Sequence, residues 1–262
     1  MNNVTFIICT KNASDTIFDC LISLRHFPVI VVDKNSTDGT LEIAGKFDNV
    51  KIIKQRNTGI AAARNLGLKY VETKFVCMWG CDNVLKNIKD IDKIIDFMEK
   101  EKWVGCSFLT KVVNPKTYFD KCMAIWWTEK FTDGQRLVIG TPVIYKTDVL
   151  KKLKYDEKCS FSDDTDLGEK IRDGGYKQGY SDITCYDITP NTFSNIAGRF
   201  LMYGKSDSEY YKKYSNAWNL KRKIKSWLHP IESNWIKNLT YFPFFVIITV
   251  IRYIGWIRNI GN

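Results

Sequence analysis

This 262-residue chain lacks an uninterrupted apolar run of the roughly 20 residues that span a bilayer. Its most apolar stretch, Tyr241–Ile251, resumes as Tyr253–Ile257, but Pro243 and Arg252 interrupt it. No internal repeat occurs at solenoid or propeller spacing, which excludes those architectures. No low-complexity run occurs either, and 45% of the residues are hydrophobic, so disorder is not the default. The eight cysteines (Cys9, Cys20, Cys77, Cys81, Cys106, Cys122, Cys159 and Cys185) include no CxxC or zinc-ribbon spacing. The chain is too long to need a disulfide scaffold, so reduced, buried, structural thiols are expected. Asn2 and Asn3 run straight into a strand-like segment, so no signal peptide is expected and the catalytic part is expected to face the cytoplasm.

Acidic residues are scarce at one end. From Lys212 onward nine lysines and arginines face a single acid, Glu232, a net +8 of the chain's +10, which leaves the body at about +2. A near-neutral body argues against a nucleic-acid binder. A basic tail beside an apolar stretch points to anionic lipid instead. Trp235, Tyr241, Tyr253 and Trp256 flank that stretch like an interfacial belt, and monotopic insertion fits its length better than a full span. A helix covering the core or a dimer interface would carry the same pattern.

What is present reads as α/β. Val4–Cys9 is a buried strand, and Ser14 can cap a helix whose Ile17, Leu21 and Leu24 share a face. Val29–Val32 is a strand buried on both faces, followed by the polar turn Asp33–Gly39 and a short helix over Thr40–Phe47. Val50–Lys54, Gly59–Leu68 and Phe75–Trp79 read as strand, helix and strand. This alternation gives a mostly parallel sheet with helices on both faces, and ligands in such sheets bind beyond the carboxyl ends of the strands. Further on the pattern predicts a helix over Ile88–Lys100 and a strand over Trp103–Phe108. Val138–Tyr145 reads as a strand interrupted by Gly140 and Pro142. A helix over Asp164–Arg172, short strands at Tyr176–Tyr180 and Thr184–Ile188, and a long helix over Asn195–Tyr214 complete it.

Four segments carry chemistry. Asp33, directly after a buried strand, can accept a hydrogen bond from a base N–H or a ribose hydroxyl. Arg64 lies in a helix whose Gly/Ala-rich start allows close packing, and its fork of donors suits a diphosphate. Asp82 follows the fourth strand within three residues, which suits Mg²⁺ or Mn²⁺ carried on a diphosphate. Asp163, Asp164 and Asp166 are three acids in four residues; such crowding can hold one pKa high enough for general-base work. Taken singly, each is also an ordinary turn, cap or surface residue.

Taken together, VTFIICTKNAS, VIVVDKNSTDGT, NTGIAAARNLGL, FVCMWGCDN and SDDTDLGEKIRDGGYK resemble the family 2 glycosyltransferases of GT-A fold, over residues ~4–205. The resemblance implies a Rossmann-like, mostly parallel sheet with flanking helices, and the basic, apolar C-terminal segment adds an expected membrane-associated helical tail. Residues 1–100 would be the nucleotide-sugar half, 101–210 the acceptor half of the same domain, and 211–262 the tail. It implies Thr10 and Asp33 as nucleoside contacts, Arg64 as the diphosphate-side arginine, and Asp82 as the last acid of the DXD metal motif. Asp164 matches the general base, with Asp163 where a glutamate usually stands. Gly80 and Asn83 depart from the metal motif, and Asp187 is a candidate third ligand. No QxxRW motif follows the acidic cluster, which points to single-sugar transfer. Trp126, Trp127 and Tyr118 can stack on sugar rings or be core, and Arg199 falls on the acceptor side. The expected reaction is inverting transfer from a nucleotide-diphosphate sugar to a lipid-linked saccharide or polyprenyl phosphate at the cytoplasmic face of a membrane. UDP is the first expectation and GDP the second. A catalytically silent nucleotide-sugar binder is the alternative. A nucleotidyltransferase ranks lower, because the loop Thr10–Ser14 has no glycine.

Overall fold

The computed structural model describes residues 3–56, 59–130, 134–159, 162–214 and 239–260. Asn57 and Thr58 of the third motif lie outside the described residues, as do Lys221, Arg222, Lys223, Lys225, Glu232, Trp235 and Lys237 of the tail. The chain forms two compact units: Met1–Val113, Asp133–Lys158 and Asp163–Thr189 in the first, and Asn114–Thr132, Cys159–Ser162 and Pro190–Asn262 in the second.

The first unit opens with the expected alternation: β1 (Val4–Thr10), α1 (Ile17–Ser23), β2 (Val29–Asp33), α2 (Thr40–Ala44), β3 (Val50–Lys54), α3 (Ile60–Leu68) and β4 (Phe75–Trp79). Then come β5 (Asn83–Val84), α4 (Lys89–Glu101) and β6 (Gly105–Val112). After α5 (Tyr118–Lys130), a helix of the second unit, the first unit resumes with β7 (Gly134–Gln135), β8 (Val143–Lys146), α6 (Thr147–Leu153), α7 (Asp163–Asp173) and β9 (Gln178–Asp187). All nine strands form one sheet in the order β3-β2-β1-β4-β8-β6-β9-β5, with β7 on β9. The first four strands pair in parallel, β8 runs antiparallel to both β4 and β6, and β6 and β9 are again parallel.

The burial pattern explains the strands. Every residue of β2 and β4 is buried, as continuous apolar runs require when helices cover both faces. β3 is an edge strand and exposes Lys51 and Lys54, which discourages pairing with another chain. α3 lies close on the sheet because Gly67 has no side chain: a Cβ there would sit 2.8 Å from Ile7 and 3.1 Å from Val32. Parallel β1, β2 and β4 end side by side, with Thr10 opposite Asp33 and Ile8 opposite Trp79. The loops after them share one edge of the sheet.

Three local expectations are corrected. Ser14 does not cap α1, which starts after Thr16; the Ser14 N–H donates to Asp38 Oδ2 (2.9 Å), a partner on the next loop. The strand expected from Val138 begins only at Val143, because the segment with Gly140 and Pro142 is loop. The two short strands expected after Tyr176 are one strand, β9. Its register against β6 slips, so that Ser107 faces Tyr180 while Leu109 faces Thr184, and this irregularity had read as a break.

In the second unit α8 (Phe193–Lys213) packs on α9 (Phe242–Ile260). Thr192 caps α8 by accepting the Asn195 N–H (3.2 Å). The backbones touch at two glycines: a Cβ on Gly204 would lie 1.9 Å from the Arg252 carbonyl oxygen, and one on Gly255 2.2 Å from that of Leu201. Arg252 gives two hydrogen bonds to Asp207 (2.7 and 2.9 Å), and Asn259 donates to buried Ser208 (2.8 Å). The other face of α9 exposes Val246, Ile247, Val250, Tyr253, Ile254 and Ile257. The 18-residue stretch Phe242–Asn259 is long and apolar enough to cross a membrane, with mean hydropathy 1.2 and 22% of it buried. Replacing Gly204 by leucine should push the two helices apart and destabilise the protein by about 3 kcal/mol, the upper range for overpacking. A melt followed by circular dichroism checks this, and an unchanged midpoint would contradict the close crossing.

Candidate active site

The carboxyl ends of β1 and β2 build the first part of the site. Thr10 Oγ1 donates to Asp33 Oδ2 (2.9 Å), the Ser36 N–H donates to Asp33 Oδ1 (2.9 Å), and the Ser36 hydroxyl donates to Asp33 Oδ2. The Asp33 side chain is fully buried. The two residues matched to nucleoside contacts are therefore bonded to each other, and direct contact between Asp33 and a base requires the Ser36 loop to give way. The Asp33 carbonyl accepts the Gln55 N–H (2.8 Å), and Gln55 Nε2 donates to the Gly59 carbonyl (2.8 Å), which ties this edge to the start of α3.

The second part joins α3 to α7. Arg64 lies on the sheet side of α3 and is about 9% exposed. Its Nη1 is shared between Asp163 Oδ2 and Asp164 Oδ1 (2.6 Å to the latter), and its Nη2 donates to Thr141 Oγ1 (2.7 Å). Its guanidinium lies 5.1 Å from the Tyr155 ring centroid. The arginine matched to a diphosphate contact also holds the two acids matched to the general base and its neighbour. Thr141, Tyr155 and Asn65 were not singled out from sequence. Asn65 donates to the Tyr155 carbonyl (2.9 Å) and accepts the Tyr155 N–H (3.0 Å), so α3 fixes that segment next to Arg64.

The crowded acids at the start of α7 are each offset. Asp163 and Asp164 meet Arg64, fully buried Asp166 pairs with Lys170 (3.0 Å), and all three lie in the helix's first turn, where the dipole favours negative charge. Burial lifts the Asp164 pKa to about 6; the Arg64 charge opposes this and the Asp163 charge adds to it. Burial alone would lower the Arg64 pKa, but Asp163 and Asp164 outweigh it and hold it well above the usual value. Asp164 keeps 27% of its side chain exposed, and its Oδ2 accepts no hydrogen bond among the described residues. A partly buried carboxylate with a pKa of about 6 and such an oxygen can take a proton.

The third part lies beyond β4. Asp82 Oδ2 accepts from Thr189 Oγ1 (2.8 Å), and Asp187 Oδ1 accepts the Thr189 N–H (2.8 Å), so one threonine links the two carboxylates. β5 brings them together, because Asn83 pairs with Asp187 and the Asp82 carbonyl accepts the Ile188 N–H (2.9 Å). Two oxygen-bearing acids fit a Mg²⁺ or Mn²⁺ ion that takes its remaining ligands from phosphate and water. A Cβ on Gly80 would lie 2.5 Å from both Asp82 Oδ1 and Asn83 Oδ1, so an acid at the first DXD position would require these two side chains to shift.

The three parts are electrostatic neighbours. Burial pushes the Cys9 thiol up to about 12; beside Thr10, it also feels Arg64 and Asp163. Burial likewise pushes Cys81 up to about 12, and it feels Asp82 and Cys9. Trp126, Trp127 and Arg199 belong to the second unit. Trp126 is 1% exposed, with Trp127, Phe200 and Tyr203 packed around its ring, so in this structure it is a core residue. Trp127 and Arg199 are half-buried, and Tyr118 is exposed, with its hydroxyl donating to the Thr240 carbonyl (3.1 Å).

An α/β sheet whose first four strands are parallel, with a partly buried candidate base and a carboxylate pair, has the layout of a nucleotide-binding α/β fold. The chain belongs to glycosyl transferase family 2, whose profile matches residues 5–153. It is 34% identical over 94 residues to the cholesterol galactosyltransferase of Borreliella burgdorferi, covering 32% of this chain and 26% of that protein. It is 33% identical over 110 residues to the Escherichia coli enzyme WfaP, a UDP-Glc:alpha-D-GlcNAc-diphosphoundecaprenol beta-1,3-glucosyltransferase, covering 39% of this chain and 43% of that one. The chain thus spans less than half the length of these curated relatives. Its fold is that of the Pyrobaculum calidifontis mannosyltransferase PcManGT, solved with GDP-Man and Mn²⁺ (TM-score 0.72, 14% identity, 98% of this chain and 86% of that one). The S. aureus TarS 1-349 complex with UDP-GlcNAc is also similar (TM-score 0.57, 16% identity, 100% and 91%).

Proposed function

We propose that the chain transfers one sugar, with inversion, from a nucleotide-diphosphate sugar to the hydroxyl or phosphate of a membrane-linked acceptor. The observation that carries this is Asp164: partly buried, lifted to about 6, and held by Arg64, whose charge is also felt by Cys9 near the end of β1. For a hydroxyl acceptor, Asp164 Oδ2 removes its proton as the acceptor oxygen attacks the anomeric carbon; a phosphate acceptor attacks through an oxygen that is already ionised. The glycosidic bond to the diphosphate breaks on the opposite face, and the nucleoside diphosphate leaves with the bonding electrons. Asp163 and Thr141 keep Arg64 in place, and Arg64 keeps Asp164 in place. Asp82 and Asp187 would hold a divalent cation, which supplies charge to offset the departing diphosphate. Thr10, Asp33 and Ser36 form the nucleoside end.

Two relatives' names support a UDP-sugar donor and a lipid acceptor: one is a UDP-glucose enzyme acting on a diphosphoundecaprenol-linked sugar, the other a cholesterol galactosyltransferase. The exposed apolar face of α9 and the basic residues from Lys212 onward support a peripheral or monotopic position at the cytoplasmic face of a membrane.

A thermal-shift screen of nucleotide sugars tests the donor. A UDP-sugar with Mn²⁺ or Mg²⁺ should raise the melting midpoint, and GDP-sugars should raise it less. Asp33→Ala should weaken donor binding ~10- to 100-fold, the range for losing hydrogen bonds to a buried charge. No shift with any nucleotide sugar would overturn the proposal, and donor hydrolysis with metal separates an enzyme from a silent binder.

A further inference from the structure

On the first unit, two adjoining cavities of about 260 and 500 Å³ lie over the outer face of α3 and share Lys69 and Glu157. Lys54 and Arg56 from the end of β3 line the smaller one, and Lys151 and Lys154 from α6 and the turn after it line the larger. Five cations thus surround a groove with one acid, and that acid already accepts a hydrogen bond from Asn65 Nδ2 (3.0 Å). Lys151 Nζ is fixed by donation to the Val71 carbonyl (2.5 Å). The charged ends of Lys54, Arg56, Lys69 and Lys154 make no hydrogen bond or ion pair among the described residues. Some lysines elsewhere on the same unit are paired: Lys74 and Lys146 with Glu99, Lys93 with Asp90, and Lys170 with Asp166.

Protection of an edge strand accounts for Lys51 and Lys54. It does not account for Lys69, Lys151 and Lys154, which are not on β3, nor for the concave shape. Like charges gathered in a hollow repel one another and raise the local potential, which an arriving anion relieves. Ammonium groups act as point charges toward phosphate. Because the cations are spread along two joined cavities, they fit an elongated anion better than a single small ion. Leu66, Leu68 and Tyr70 offer an apolar wall for whatever carries the charge.

We propose that this groove is a second binding site, for a pyrophosphate- or phosphodiester-class anion, separate from the donor crevice. None of Thr10, Asp33, Asp82 or Asp164 lines it. α3 separates the two: Arg64 is turned to Asp163 and Asp164, while its neighbour Asn65 is turned to Tyr155 and Glu157.

The test is calorimetry with inorganic pyrophosphate and the whole chain in metal-free buffer, comparing the natural sequence with Lys69→Glu/Lys154→Glu. Both side chains are exposed, so the melting midpoint and UDP binding with Mn²⁺ should not change. Pyrophosphate binding should weaken ~10-fold or more, as expected for losing charge-assisted contacts, and UDP should not displace the component that is lost. Co-sedimentation with vesicles of about one-third phosphatidylglycerol in phosphatidylcholine identifies the source. If vesicle binding falls together with pyrophosphate binding, the anion is a lipid headgroup; if only pyrophosphate binding falls, it is soluble. Equal pyrophosphate affinity and equal sedimentation for the two proteins would overturn the proposal.

Discussion

Replacing Asp164 by asparagine should lower turnover ~10²- to 10⁴-fold, the range for losing a general base, while donor affinity stays within about twofold. Asparagine keeps the size of the side chain and an oxygen for the Arg64 guanidinium, so the fold is spared. What disappears is a group that can hold the acceptor's proton. Steady-state rates together with calorimetry on the donor separate the two effects. Loss of donor binding with turnover retained would show that Asp164 belongs to the donor end and that another residue accepts the proton.

Replacing Arg64 by methionine should affect both stability and pH dependence. Removing one partner of a buried ion pair costs about 3–5 kcal/mol, because the remaining charge stays buried and uncompensated. Here two carboxylates lose their common cation. The penalty should be largest above pH ~6, where Asp164 is ionised, and smaller in acid, where protonation removes one of the charges. The Arg64 charge opposes the rise in the Asp164 pKa, so its loss should move that pKa, and the acid limb of the rate profile, to higher pH. Lysine at this position should restore part of the stability but not the shared contact to both acids and Thr141. Denaturant unfolding at pH 5 and pH 8, with a rate profile for each variant, checks both parts. A variant as stable as the natural chain with an unmoved profile would show that Arg64 is not the organiser of the acids.

The first four strands were legible because they are buried on both faces and read as short apolar runs between polar turns. The second half was less so. β9 crosses a register slip, and the antiparallel β8 starts late because its sequence opens on a Gly- and Pro-containing loop; both are set by tertiary pairing, not by local pattern. In the site, sequence singled out the acids but not their partners. Thr189 links Asp82 to Asp187 across the β5–β9 pairing, and Thr141 and Tyr155 reach Arg64 from about 80 to 90 residues away in the chain. No periodicity marks such residues. Arg64 shows the limit most clearly: its type and position suited a diphosphate, and only the folded chain shows two carboxylates already in its grasp.

The most direct test of the account is the pH dependence of kcat/KM for sugar transfer by the unmodified protein. Asp164 acting as base near its raised pKa predicts a rate that falls tenfold per pH unit in acid, with a midpoint near pH 6. A rate that stays level from pH ~5 to ~8, or a midpoint near the ordinary carboxylate value of about 4, would contradict it.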